Sequence, residues 1–414
     1  MTPERRPPHP VPSVERRCPT RFAAALRCAL AGIAAAVLAP PAHSDADAYR
    51  DYLSGTNFSA LAQITPDNVD RLAPAWTYST GFMDTADPAT RANTTFQAKP
   101  LIVAGNLVFC TPLNRIVALD PATGEERWVF DPGLDMEKPQ PFQYKCRGAL
   151  AEWRDPDASA DTLCAIRLLF QTLDHRLFAI DAASGARCTG FGDDGELQVF
   201  RDGEEERLEQ IFLTTTPIVA RDVLVLGSAM TDNVYIRNPR GVVRAFDPRS
   251  GARLWEFDPV PRTADHPAMS SWDPEHAPFN GGANVWTIMA ADERHGLVYL
   301  PTSSPTIDHY GAQRPGANLY ANSVVALDVR TGELVWHAQL VHHDVWDYDL
   351  PSQPLLTDLR IDGVTVPVLV QNTKMGLVFV FDRRTGEPVY PIEERPVPQR
   401  LGRQVVVPDV VMHE

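Results

Sequence analysis

One eight-residue stretch holds more reactive side chains than any other part of the chain: His342-His343-Asp344-Val345-Trp346-Asp347-Tyr348-Asp349. It contains two imidazoles, two large aromatic rings and three carboxylates. Carboxylates accept hydroxyl protons, and aromatic faces cover C–H surfaces, so the set suits a polyhydroxylated substrate. Read as a strand, it puts Asp347 and Asp349 on one face and Asp344 on the other. An acidic loop around a core tryptophan fits the same residues equally well.

Four further groups could do chemistry. Asp232-Asn233 offers hard oxygen ligands for Ca²⁺ or Mg²⁺, although such a pair is also a common turn. Arg147, in Cys146-Arg147-Gly148, could hold an anionic cofactor or a surface carboxylate. Lys374, after Gln371-Asn372-Thr373, could be a buried cation or a solvated one. Trp286, ending Gly281-Gly282-Ala283-Asn284-Val285-Trp286, could be a stacking plate or a core residue. None of these is specific alone.

The elements that must position them repeat. Five segments share an apolar strand, an Asp, a Gly four residues later and usually an aromatic four after that: Val117–Trp128, Phe178–Thr189, Arg244–Trp255, Val325–Trp336 and Phe379–Tyr390. The Asp residues are 120, 181, 247, 328 and 382, and the Gly residues 124, 185, 251, 332 and 386. Asp and Ser/Thr bond the turn backbone, Gly supplies positive φ, and a second strand leaves carrying the aromatic. Repeated hairpins of this kind predict an all-β fold, a β-propeller of about five four-stranded blades with the aromatics buried between them. Separate β domains sharing one turn are the alternative. Ala73–Tyr78, with Trp76, reads as the end of a further unit. Long helices are not evident; Ser59–Leu72 could hold one short helix, capped at Thr65 with Pro66 in its first position.

These motifs together resemble the PQQ-dependent (quinoprotein) alcohol and sugar dehydrogenases, most nearly the branch of membrane glucose, polyol and quinate dehydrogenases. The resemblance rests on the five repeats, Cys146-Arg147-Gly148, Gly227–Asn233, the Trp286 segment, His342–Asp349 and Thr373–Glu387, in order across Ser54–Arg400. It implies an eight-bladed propeller that binds pyrroloquinoline quinone (PQQ) with Ca²⁺ or Mg²⁺ and oxidises CH–OH groups of a sugar, polyol or quinate-like substrate. By position, Asp347 matches the catalytic base and Lys374 the cation at the quinone oxygens. Trp286 matches the plate stacked on PQQ. Arg147 and Thr214 match groups at PQQ, and Asp232 with Asn233 the metal ligands. PQQ is a planar tricarboxylated quinone, so a plate, cations and a divalent ion form a consistent set, with hydride passing to the metal-bound quinone. A quinone or cytochrome at the membrane is the implied electron acceptor.

The chain departs from the family in places. Gln97 stands where relatives carry Glu, with Lys99 following. Tyr144 replaces a His of the glucose branch. Ser304 or Thr306 stands where a metal-site Asn is usual. The repeats stop at five, so residues 45–414 read as a partial propeller, about three blades short. The expectation is a fragment, or a second chain supplying the remaining blades, with doubtful activity for this chain alone. A non-catalytic propeller scaffold and an inactive dehydrogenase remnant are the competing readings; a scaffold has no need of Trp286, Asp347 and Lys374 together.

Composition limits the partners. The chain of 414 residues carries a net charge of −15, which argues against nucleic acid. With 37 Pro, 25 Gly and 44% hydrophobic residues, it has many turns and still enough apolar material for a core. Residues 1–44 are different: six Arg against two Glu, the apolar run Cys28–Pro40, then Ala42-His43-Ser44. This reads as a secretory signal, too short for a membrane span, and predicts export to the periplasm, free or associated with the inner membrane. Four cysteines remain in an exported chain: Cys110, Cys146, Cys164 and Cys188. An even number favours disulfides over zinc, for which no spacing fits. Three pairings are open; the expected one joins Cys146 to Cys164 across the intervening loop and Cys110 to Cys188.

Overall fold

A computed structural model of the chain describes residues 45–136, 143–159, 161–235, 237–395 and 410–411. The secretory signal assigned to residues 1–44 lies outside them. Within the described residues, each repeat turn is built as its side chains require. Asp120 Oδ1 accepts the amides of Ala122 and Thr123, and Asp181, Asp247 and Asp328 do the same two and three residues on. The glycine amide then closes onto the Asp carbonyl at 2.8–2.9 Å in all five turns. All five glycines have φ between 72° and 78°, the left-handed region where a side chain is strained.

These turns also explain the aromatic. A Cβ on Gly124, Gly185, Gly332 or Gly386 would come within 3.0 Å of the ring of Trp76, Trp128, Trp255 or Trp336, respectively. The tryptophan of one unit thus lies flat on the glycine of the next. Three of the indoles also donate to that next turn: Trp76 to Pro121 O at 3.3 Å, Trp255 to Val329 O at 3.0 Å and Trp336 to Arg383 O at 3.1 Å. Where Thr189 breaks the aromatic pattern, Leu197 covers Gly251 instead. Trp255 and Trp336 are buried, and Trp76 and Trp128 half-buried. Tyr390 departs from the expectation and is exposed, because no sixth turn covers it among the described residues.

Five antiparallel sheets follow in chain order, each a simple meander. The first contains Leu101–Val103, Asn106–Cys110, Ile116–Leu119 and Glu126–Phe130; the second Ala151–Arg154, Ile166–Gln171, Arg176–Asp181 and Glu196–Gln198. The third contains Ile218–Ala220, Val223–Leu226, Val243–Phe246 and Arg253–Phe257; the fourth Ala290–Asp292, Leu297–Pro301, Ser323–Asp328 and Leu334–Gln339. Among the described residues the fifth has three strands: Leu355–Ile361, Val364–Asn372 and Val378–Asp382. Inner strands are buried on both faces between neighbouring sheets: Ile116–Leu119 is apolar and buried throughout, and Val243–Phe246 is buried throughout with its one charge, Arg244, paired to Glu204 and Glu205. These are the blades of a β-propeller.

Two expectations are corrected. The disulfides are Cys110–Cys146 and Cys164–Cys188, with Cα separations of 6.0 and 5.7 Å. Cys110 ends a first-sheet strand beside the crossing to the second, where Cys146 sits; Cys164 and Cys188 both flank the second sheet. Adjacency across strands, not loop closure in sequence, decides the pairing. The short helix is only the 3₁₀ turn Val69–Arg71, preceded by Asn68 rather than capped by Thr65; Thr65 instead offers its carbonyl to the amides of Asn68 and Val69. The longest helix among the described residues is Asp45–Leu53. It buries Tyr49, Tyr52 and Leu53, and Tyr49 Oη accepts the Val219 amide at 2.8 Å.

Candidate active site

Arg147, Thr214, Asp232, Trp286, Asp347 and Lys374 line one cavity of about 290 Å³. Each comes from a connection rather than a strand centre. Arg147 precedes the second sheet, Thr214 and Asp232 flank strands of the third, and Trp286 precedes the fourth. Asp347 lies between the fourth and fifth, and Lys374 in a turn of the fifth.

The segment His342–Asp349 is a loop, not a strand, so simple alternation does not apply. Asp344 is buried and anchors it. Its carboxylate accepts the amides of Trp346 and Tyr348 at 2.9 and 2.7 Å, Asn322 Nδ2 at 3.0 Å and the Ser304 hydroxyl. Behind it Arg314, fully buried, donates to the carbonyls of Ile307, Asp308 and Asp344. So fastened, the loop turns at Asp347, whose φ is +59°. Asp347 and Asp349 both face the cavity, and the ring of Trp346 faces solvent.

Asp349 joins the parts. Its Oδ1 accepts the Ser304 amide at 2.6 Å, and its Oδ2 accepts Trp286 Nε1 at 3.0 Å and Lys374 Nζ at 3.3 Å. Lys374 also donates to Asp347 Oδ1 at 3.0 Å and to the Asp347 carbonyl at 2.7 Å. One carboxylate therefore places an indole and an ammonium around one point, with Asp347 beside them.

The acids of the cavity shift one another's ionisation. Burial pushes the Asp308 carboxyl up to about 8, with Asp232, Asp349 and Asp347 adding repulsion. Burial also raises Asp349 to about 6; Lys374 opposes this and Asp347 adds to it. Asp232 is raised by burial and by Asp347. Lys374 is raised despite its own burial, because Asp349 and Asp347 hold its proton. The Arg147 guanidinium lies 4.8 Å from the Trp286 ring centroid and donates to Gln97 Oε1 at 2.9 Å and to the Trp286 carbonyl at 2.6 Å. Thr214 Oγ1 is buried with no hydrogen-bond partner among the described residues. An unpaired buried hydroxyl is costly, so it marks a place where a polar ligand fits.

Asn233 does not line the cavity. Its amide is committed at both ends to Asp308, donating to Oδ2 at 2.8 Å and accepting the amide at 3.1 Å. Asp308 is the carboxylate that sequence reading overlooked. It lies just beyond Ser304 and Thr306, the two positions weighed for the metal-site Asn, and all three line the cavity. Asp349 was seen in its cluster but given no task, because its importance lies in partners far away in sequence. Among the described residues, no three His, Cys, Asp or Glu side chains stand close enough to hold a metal unaided.

Residues 47–405 match the family described as "PQQ: Glucose/ethanol/alcohol dehydrogenase, beta-propeller domain". The chain is 38% identical over 376 residues to the quinoprotein glucose dehydrogenase of Escherichia coli, covering 89% of this chain and 46% of that protein. It is 38% identical over 362 residues to the glycerol dehydrogenase large subunit of Gluconobacter oxydans, covering 87% and 48%. To the quinate/shikimate dehydrogenase (quinone) of Acinetobacter baylyi it is 34% identical over 368 residues, covering 85% and 44%. The quinohemoprotein alcohol dehydrogenase of Comamonas testosteroni superposes with a TM-score of 0.65 at 25% identity, over 84% of this chain and 51% of that one. The chain thus spans about half the length of the curated relatives it matches. With the repeat turns, the stacked tryptophans and the cavity, this match establishes that the chain belongs to the PQQ-dependent glucose/ethanol/alcohol dehydrogenase β-propeller family.

Proposed function

We propose that the whole protein is an exported PQQ-dependent dehydrogenase that oxidises a CH–OH group of a sugar, polyol or quinate-like substrate. The observation that carries this is the shared carboxylate oxygen of Asp349, which sets Trp286 and Lys374 together beside Asp347. A plate, a cation and a base in one cavity suit a planar quinone and an alcohol. PQQ, bound with Ca²⁺ or Mg²⁺, supplies the two-electron acceptor and Lewis-acid polarisation.

This chain's residues do the rest. Asp347 Oδ takes the proton of the substrate hydroxyl as general base. Lys374 keeps its proton and places positive charge where oxygen charge develops. Trp286 supports the ring plane, and Arg147 and Thr214 bind carboxylate oxygens. Asp232, with Asp308 beside it, would offer hard oxygens to the divalent ion. In this reading the leader directs export to the periplasm, and the electrons pass to a quinone or cytochrome at the membrane.

The test is dye reduction by the whole purified protein given PQQ, Ca²⁺ or Mg²⁺, and glucose, glycerol or quinate. Turnover that requires PQQ and a divalent ion is expected. Turnover without PQQ, or no PQQ uptake at all, would refute the proposal.

A further inference from the structure

Lys145 has no part in the chemistry above, yet it lines the cavity. Its position follows from extended backbone. Residues 94–98 and 144–148 run side by side in parallel, pairing Thr94 with Tyr144, Gln97 with Arg147 and Ala98 with Gly148. Side chains two apart on such a segment share a face. Tyr144, Cys146 and Gly148 are accordingly buried, while Lys145 and Arg147 are half-buried and both reach the cavity wall. Cys146 points away, into the disulfide with Cys110. That bond ties the segment carrying both cations to the first sheet.

Among the described residues, no carboxylate neutralises either cation. Arg147 donates to the Gln97 amide oxygen, the Thr215 hydroxyl and the Trp286 carbonyl, all uncharged. Among the described residues, Lys145 Nζ reaches Gln143 Oε1 alone, at 3.3 Å. Burial and then Arg147 lower the Lys145 pKa, with no carboxylate opposing them. Two adjacent half-buried cations without a counter-charge repel each other and lose solvation, and an anion relieves both costs. Two acids of the cavity, Asp347 and Asp349, pair with Lys374 instead, and Asp308 is held by Asn233.

We propose that Lys145 and Arg147 form a two-cation clamp for carboxylate, in which Lys145 takes one carboxylate group of the bound ligand. The inference rests on the reading of the cavity as a PQQ site. The carboxylate belongs either to the cofactor or to an acidic substrate, and the two sources separate experimentally.

Lys145→Met and Lys145→Arg in the whole protein are titrated with PQQ, following tryptophan fluorescence at low and high salt. Michaelis constants are measured for quinate, which is anionic, and for glycerol, which is neutral. Loss of one charge-assisted hydrogen bond predicts a change of about tenfold or more. Weaker and less salt-sensitive PQQ binding in Lys145→Met assigns the carboxylate to the cofactor. A raised Michaelis constant for quinate but not glycerol assigns it to the substrate. In either case Lys145→Arg retains wild-type behaviour. The clamp is overturned if Lys145→Met behaves as wild type in both measurements, or if Lys145→Arg fails equally, since charge is then irrelevant. Wild-type protein that takes up no PQQ overturns the cofactor reading and the clamp with it. Wild-type uptake with an unaffected Met variant overturns the clamp alone.

Discussion

Replacing Asp349 with asparagine is expected to stabilise the apo protein above pH 7 while impairing its cofactor site. The folded carboxyl is raised from 3.8 to about 6, first by burial and then by Asp347, against the pull of Lys374. A raised carboxyl favours its neutral form in the fold. Its contribution to stability is therefore complete below about pH 4 and is lost as pH rises through about 6. A difference of roughly two pKa units corresponds to something on the order of 3 kcal/mol. Asparagine mimics the neutral acid and carries no such cost. The variant and wild type should melt together near pH 4, and the variant should melt several degrees higher at pH 8. At the same time Lys374 and Trp286 lose an ionised acceptor, so PQQ affinity should fall about tenfold. Thermal melts of metal-free apo protein from pH 4 to 8, paired with PQQ titrations at pH 7.5, test both halves. A variant that becomes less stable relative to wild type as pH rises would refute the electrostatic reasoning. An unchanged PQQ affinity would remove Asp349 from the site. Such a gain of stability on removing a strained site charge is the usual trade between stability and activity.

Asp347→Asn is expected to lower turnover by about 10²- to 10⁴-fold with PQQ binding largely retained, seen by comparing single-turnover rates with PQQ titration; near-normal turnover would dismiss Asp347 as the base. Gly332→Ala combines a φ of +72° with a methyl placed within 3.0 Å of the Trp255 ring, and should cost about 2–4 kcal/mol in urea unfolding. Gly363→Ala, with φ of +83° but open space around it, should cost only the backbone part, about 1–2 kcal/mol. Cys110→Ser should lower stability by up to about 4 kcal/mol through the 36-residue loop it releases, and weaken PQQ binding because the strand of Lys145 and Arg147 is untied.

Much of the fold was legible because it is local. Asp, Ser/Thr and Gly at fixed spacing specify a turn by hydrogen bonds within five residues, and the aromatic four positions on reports the docking partner of the next unit. Repetition then makes a propeller the economical reading. The reading failed where a partner lies across sheets. Cysteine pairing followed strand adjacency rather than loop length, and Thr189 hid the fact that Leu197 does the work of a tryptophan.

Six of the seven site residues named from sequence line the cavity, because motif residues carry their chemistry in their type. Asn233 does not, since an amide beside an acid reads as a ligand until its neighbour is known to be Asp308. Sequence by itself determined the blade unit and the family, and it named the residues proposed as base, plate and cation. Only the tertiary structure decided that one oxygen of Asp349 holds Trp286 and Lys374 together, that Asp308 joins the acidic cluster, and that Lys145 stands beside Arg147 with no carboxylate partner among the described residues. Charge, burial and hydrogen bonding at a site are sums over groups distant in the chain, and no local pattern records them.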